Sequence, residues 1–140
     1  MRRIVPLVAA FAAAAALSAS ALAGDAAEES VPMSHGRQFD EQGGAEIFRD
    51  VCAACHQADA RGAVGAAAYP ALAGDKELAS ADFVLSVLFK GLRAMPPLGT
   101  MMSDQQAADV VNYLRTHFGN SYADAVTAAQ AGEARRAAAP

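Results

Sequence analysis

The stretch Cys52-Ala53-Ala54-Cys55-His56 decides how this chain of 140 residues is interpreted. In a helical turn, positions i, i+3 and i+4 point to the same side, so the two thiols and the imidazole face one way. Both thiols can then bond the vinyl groups of one porphyrin edge while the imidazole of His56 reaches the iron. This C-x-x-C-H pattern is typical of c-type haem attachment. It predicts one haem c, bound covalently through Cys52 and Cys55, with His56 as an axial ligand.

Two other interpretations of the cysteine pair remain open but fit less well. A redox dithiol of the thioredoxin type belongs between a strand and a long helix of a βαβ unit, and this chain shows no strand pattern. A zinc site needs four nitrogen or sulfur ligands, and only His35 and His117 remain to complete one.

The first 23 residues have the pattern of a cleavable signal peptide. Arg2 and Arg3 precede an apolar run that closes on Ala21-Leu22-Ala23. A permanent membrane anchor is the alternative, which the high alanine content and the small closing residues disfavour. Export predicts a periplasmic protein. Removal of residues 1–23 leaves nine basic and 15 acidic residues, a net charge of −6, which makes a nucleic-acid partner unlikely.

The rest of the chain divides into three parts. Residues 24–42 are polar and acidic and are expected to form a flexible leader. Residues 43–120 contain three amphipathic helical patterns, beginning near Gly44, after Ser80 and after Ser103, where Ser103 and Gln106 form a capping box. Residues 57–75 are expected to be an irregular loop, and residues 121–140 an alanine-rich tail. The prediction is a small all-α domain that needs a cofactor for stability.

A methionine sulfur is a natural second axial ligand for haem iron. Met95 is favoured because Pro96 and Pro97 stiffen the backbone that follows it. Met33 falls in the predicted leader and is set aside, whereas Met101 and Met102 are expected to fill space beside the porphyrin. His117 is better explained by its place in the last turn of a helix, where the helix dipole favours it. Lys90, Arg93 and Tyr69 remain candidates for contacts with the haem propionates.

Residues 43–120 resemble the class I cytochromes c. The family has a glycine four residues before an aromatic residue on its N-terminal helix, which matches Gly44 and Phe48. A pair on its C-terminal helix matches Val110 and Tyr113. The resemblance implies that these two helices cross closely, with glycine at the contact, and that three main helices wrap around one covalently attached haem.

The same resemblance implies roles for two residues outside the C-x-x-C-H motif. The family's proline, whose carbonyl accepts a hydrogen bond from the haem-ligating histidine, falls on Pro70. Such a bond would fix the imidazole tautomer and make the ligand more basic. The family's distal ligand, a methionine before proline, falls on Met95.

Residues 95–135 are similar, more narrowly, to haem domains of bacterial periplasmic dehydrogenases of alcohols and sugars. The resulting prediction is an electron carrier without catalytic residues or a small-molecule substrate. Its expected partners are periplasmic or membrane redox proteins, such as a dehydrogenase or a terminal oxidase or reductase. The alternatives are a haem c subunit of a dehydrogenase or oxidase complex, and a haem enzyme or gas sensor with a labile distal ligand.

Overall fold

The computed structural model describes residues 38–65 and 68–140. The predicted signal peptide and most of the predicted leader lie outside these ranges, and so does Met33. The described chain is mainly helical, which confirms the all-α prediction. Its helices are α1 (Gly43–Ile47), α2 (Ala53–His56), α3 (Ala81–Lys90), α4 (Asp104–Thr116) and α5 (Ala128–Ala138), with 3-10 helices at Lys76–Ala79 and Leu98–Met101. No helix within these ranges has both the length and the apolar character needed to cross a bilayer.

A π-helical turn, Phe48–Cys52, joins α1 to α2 into one continuous helical segment. The turn ends at the first cysteine of the C-x-x-C-H motif. Ile47 and Phe48 are buried on the side that faces the core. Turns of this kind are rare and occur often at functional sites. Here the turn separates the part of the helix that packs on the core from the part that carries the motif.

The close crossing of α1 and α4 is the main packing contact of the fold. A Cβ on Gly44 would lie 2.5 Å from the Cβ of Tyr113, so only glycine permits this approach. The rings of Phe48 and Tyr113 lie beside the crossing, with their centroids 5.8 Å apart. The contact between α1 and α4 that the resemblance implies is therefore confirmed.

The predicted starts of α3 and α4 are confirmed in detail. Ser80 Oγ accepts a hydrogen bond from the backbone N–H of Phe83, and Ser103 forms a reciprocal capping box with Gln106. The Gln106 side chain also donates to the carbonyls of Phe39 and Glu41, at 2.9 and 2.8 Å. These bonds tie residues 39–41 to α4, although the sequence assigns them to the leader.

The segment after Asn120 packs onto the rest of the molecule. Helix α5 begins with a capping box between Thr127 and Gln130 and lies against α3 and α4. Ala131 and Gly132 are buried, and small residues at these positions let the helix approach closely. Val126, 5% exposed, exchanges two hydrogen bonds with the Asn112 side chain. The alanine-rich tail thus adds a helical layer to the fold.

The loop after the motif contains a minimal β-ladder that the sequence did not indicate. Strands β1 (Ala63–Val64) and β2 (Ala68–Tyr69) pair antiparallel, with Ala63 opposite Tyr69. Each strand has only two residues, too few for an alternating pattern to be recognised. The expectation of a wholly irregular loop is wrong at this point, and the ladder brings Pro70 back towards the motif.

Candidate functional site

The two thiols of the motif differ in their surroundings. Cys52 is buried at the end of the π-helical turn, whereas Cys55 is exposed on α2, and neither forms a disulfide. Burial raises the pKa of the Cys52 thiol to about 12, with a smaller contribution from Cys55. A redox dithiol needs a lowered thiol pKa, because the thiolate is the nucleophile. The environment of Cys52 is therefore the opposite of what a thioredoxin-type motif requires.

The His56 imidazole is buried, with 8% of the residue exposed, and is held by one hydrogen bond. Its Nδ1 lies 2.9 Å from the carbonyl oxygen of Pro70. A carbonyl can only accept, so Nδ1 carries the proton and donates it. In the neutral ring, Nε2 then keeps a free lone pair for a metal. Donation from the second nitrogen to a carbonyl is how metal-ligating histidines are oriented.

The loop that carries Pro70 is fixed from two sides. The backbone N–H groups of Leu72 and Ala73 both donate to the carbonyl of Ala60, at 2.7 and 2.9 Å. From the other side, Asn120 Nδ2 donates to the carbonyl of Leu72 at 2.9 Å and to that of Leu114 at 2.8 Å. Asn120 thereby joins the end of α4 to the loop beside His56. Its Oδ1 is buried and finds no hydrogen-bond partner in the described ranges.

Met95 lies in the loop 91–97, called the methionine loop below. Gly91 has φ 72° and ends α3, and a Cβ at this position would lie 2.5 Å from the carbonyl oxygen of Met95. Leu92 and Met95 exchange two backbone hydrogen bonds, of 3.0 and 2.9 Å, across a tight turn. Arg93 within this turn takes φ 54°, which is unusual for a residue with a side chain. Met95 itself is half-buried and packs against the core.

Four large apolar side chains are exposed between the C-x-x-C-H motif and the end of the methionine loop. They are Val64, Tyr69, Phe83 and Leu92. Covalent attachment of a haem needs thiols for thioether bonds and a nitrogen ligand for the iron. The two free thiols and the oriented imidazole fit these requirements.

The comparisons with known proteins agree with this arrangement. Residues 39–114 match the family described as cytochrome C oxidase, cbb3-type, subunit III. The chain belongs to this family of cytochromes c. The resemblance to c-type cytochromes that the motif suggested is therefore confirmed. Members of the wider class transfer electrons through a bound haem.

Relatives of this cytochrome c domain are subunits of bacterial dehydrogenases. The gluconate 2-dehydrogenase cytochrome c subunit of Pantoea cypripedii is 34% identical over 69% of this chain and 25% of its own length. The fructose dehydrogenase cytochrome subunit of Gluconobacter japonicus is 33% identical over 64% of this chain and 22% of its own length. The alcohol dehydrogenase (quinone) cytochrome c subunit of Gluconacetobacter polyoxogenes is 34% identical over 69% of this chain and 23% of its own length.

The cytochrome c domain spans about a quarter of the length of these curated relatives. No solved structure matches the chain. The predicted likeness to haem domains of alcohol and sugar dehydrogenases is confirmed by the relatives' names, which describe those proteins as cytochrome subunits of dehydrogenases.

Two of the alternative ligands have other structural roles in the domain. Met102 is 3% exposed and fills part of the core. His117 is exposed at the end of α4, where its ring stacks on Tyr113 with centroids 4.0 Å apart and its Nδ1 lies 2.9 Å from the Tyr113 carbonyl. In the described ranges, no group of three or more His, Cys, Asp and Glu side chains could hold a metal ion, and His35 lies outside these ranges.

Sequence reasoning does not predict the long-range contacts of three polar residues, Asn120, Arg115 and Arg135. Arg115 is completely buried and donates to the carbonyls of Leu78 and Ala79, at 2.8 and 3.2 Å. It also donates to the backbone carbonyl and the carboxylate of Asp124. A helical arginine pattern predicts a solvated side chain, so only the fold shows that this one is internal.

Proposed function

We propose that this cytochrome c domain is a periplasmic electron carrier with one haem c, attached through Cys52 and Cys55, whose iron is ligated by His56 and Met95. The observation that carries the proposal is the hydrogen bond of 2.9 Å from His56 Nδ1 to the Pro70 carbonyl, directly beside two free thiols. Export follows from the signal-like pattern of residues 1–23 and from the thioether chemistry of the motif.

Each residue of this set has a distinct task. The two thiols hold the macrocycle in place, so the carrier cannot lose it during exchange between partners. The hydrogen bond to the Pro70 carbonyl would make the His56 imidazole more basic and leave Nε2 free for the iron. Met95, as a thioether ligand, favours the reduced iron and raises the reduction potential. With His56 and Met95 in place, no position is left for a substrate, and the bound haem supplies only one-electron chemistry.

A second candidate function is that of a haem c subunit in a dehydrogenase complex. The names of the relatives favour it, since all three proteins are cytochrome subunits of dehydrogenases. On this proposal the domain accepts electrons from a periplasmic alcohol or sugar dehydrogenase. The net charge of −6 without residues 1–23 would steer it towards a basic docking face. Electron-transfer rates should then fall as the ionic strength rises, and a rise would contradict the proposed steering.

The test of the axial ligation is an absorption spectrum of the exported protein, oxidised and reduced, with and without carbon monoxide. The expected result is sharp reduced bands, a weak far-red methionine-to-iron(III) band and no response to carbon monoxide. Met95→Ala should remove the far-red band, lower the potential and admit carbon monoxide, while the control Met101→Ala should change none of these. A wild-type protein that binds carbon monoxide rapidly would favour a gas sensor, and a colourless protein would overturn the haem proposal.

A further inference from the structure

The methionine loop has few bonds of its own. In the described ranges, its one internal pairing is the exchange of backbone hydrogen bonds between Leu92 and Met95. No hydrogen bond from this part of the chain fixes the Met95 side chain, since a thioether is only a weak acceptor. The position of the sulfur therefore depends on what holds the two ends of the loop.

One side chain, Arg135 of α5, contacts the segments on both sides of the methionine loop. On the side before the loop, its guanidinium lies 4.6 Å from the ring centroid of Phe89, in the last turn of α3. On the side after the loop, Nη1 donates to the carbonyl of Gly99 at 2.8 Å and Nη2 to that of Met102 at 2.7 Å. Nε pairs with Asp104 at 2.7 Å, which holds the plane of the group in this orientation.

This set of contacts suits arginine and no other side chain. The guanidinium offers several N–H groups in a fixed plane and a flat face, so it can bind three acceptors and a ring at once. Gly99 and Met102 are buried, and their carbonyls would lose a charged donor if the guanidinium were removed. The buried small residues Ala131 and Gly132 let α5 approach closely enough for Arg135 to reach the segments on both sides of the loop.

We propose that Arg135 is a positioning residue for the distal ligand: it bridges the segments that flank the methionine loop, at Phe89 and at Gly99 and Met102, and so holds Met95 in place. Helix α5 is then part of the haem site although it contributes no ligand. The effect of Arg135 on iron ligation by Met95 rests on the proposed function, whereas its effect on the structure of the methionine loop does not.

The test compares Arg135→Gln and Arg135→Lys with Arg136→Gln, an exposed arginine on the same helix. Amide hydrogen exchange is measured by NMR in the exported protein for Leu92 and Met95, and for Gly62 and Leu72 as reference amides near His56. Arg135→Gln should speed exchange of the first pair about tenfold and leave the second pair unchanged, because the three charge-assisted bonds of the guanidinium are lost at one site only. Arg135→Lys keeps the charge but loses the planar group, so it should give a smaller increase. Arg136→Gln should have no effect.

A second readout is specific to ligation. In Arg135→Gln, the far-red band should weaken and carbon monoxide should bind the reduced protein about tenfold faster than in the wild type, since the loop opens more often. Unchanged Leu92 and Met95 exchange in both Arg135 variants would overturn the bridge. A similar increase at all four amides would also overturn it, because that is a general loss of stability. A wild-type protein without a far-red band would contradict the proposed function, and the amide data would still decide the bridge. If Arg135→Gln does not fold, Arg135→Lys decides alone.

Discussion

The two sides of the candidate site are held in different ways. On the proximal side, His56 lies on a helix, is buried and has a side-chain hydrogen bond of 2.9 Å to Pro70. On the distal side, Met95 lies on a loop, is half-buried and depends on backbone pairing with Leu92. The proposed proximal ligand, His56, is therefore fixed directly, whereas the proposed distal ligand, Met95, is fixed through the loop that carries it. We expect ligand loss under stress to begin on the distal side.

Among substitutions on the two sides of the site, His56→Ala should cause the largest loss of attached haem. Without an imidazole beside the two thiols, the exported protein should contain almost no attached haem, whereas Met95→Ala should still contain it. Haem absorbance per mole of protein measures the difference. His117→Ala is the matched control and should keep the wild-type haem content, because its ring is engaged with Tyr113. A His56→Ala protein with wild-type haem content would show that the proximal side is assigned incorrectly.

Asn120→Ala tests whether Asn120 holds the loop that carries Pro70, as Arg135 is proposed to hold the methionine loop. The substitution leaves the carbonyls of Leu72 and Leu114 without their side-chain donor, and unfolding in urea should show a loss of about 1–3 kcal/mol. The hydrogen bond from His56 to Pro70 should weaken, so the reduction potential should rise slightly.

The control for this substitution is Asn112→Ala. It removes a similar pair of bonds, with Val126, far from Pro70 along the chain. It should reduce the stability to a comparable extent without a change in potential. Equal shifts of potential in both variants would mean that the Asn120 side chain has no specific effect on His56.

The smallest expected effect is the pH dependence of stability that arises from the ion pair between Arg115 and Asp124. Hydrogen bonding to Arg115 lowers the pKa of the Asp124 carboxyl below its ordinary value. A carboxyl whose pKa is lowered by folding contributes stability above its unfolded pKa, about 3.9, and loses it as the pH falls through the folded value. The urea midpoint of the wild type should therefore fall more steeply below about pH 4 than that of Asp124→Asn.

Asp50→Asn is the comparison for this pH effect. The pKa of Asp50 is lowered by its neighbour Arg49, yet that pair is on the surface, with Arg49 67% exposed, whereas Arg115 is 1% exposed. A surface pair contributes little to stability. The pH profile of Asp50→Asn should therefore overlie that of the wild type, and a change as large as in Asp124→Asn would contradict the special role of the buried guanidinium.

The sequence predicts the features that depend on neighbouring residues. The motif, the caps at Ser80 and Ser103 and the stop at Gly91 are local patterns, and the structure has α3 and α4 where those patterns place them. The proximity of Pro70 to His56 came only through resemblance, because 14 residues separate them and no local rule brings them together.

The contacts that the sequence does not predict are made by long or polar side chains across the fold. Arg115, Asn120 and Arg135 all bind carbonyl groups at least six residues away along the chain. Apart from the carboxylates of Asp124 and Asp104, their partners are backbone atoms, which leave no mark in the pattern of side chains. The packing of helix α5 is also hard to predict from apolar periodicity. Its buried residues Ala131 and Gly132 have little apolar area, but their small size lets the helix approach its neighbours closely.

The π-helical turn Phe48–Cys52 sets the angular relation between two halves of one helix. Before the turn, Gly44 must face α4, and after it, His56 must face Pro70. Each residue of an α-helix advances the chain by about 100° around the axis. Loss of one residue from the turn would rotate the whole motif by that angle, so that the imidazole would point away from its carbonyl. The π-helical turn thus sets the angle between the surface that packs on α4 and the surface that carries the C-x-x-C-H motif.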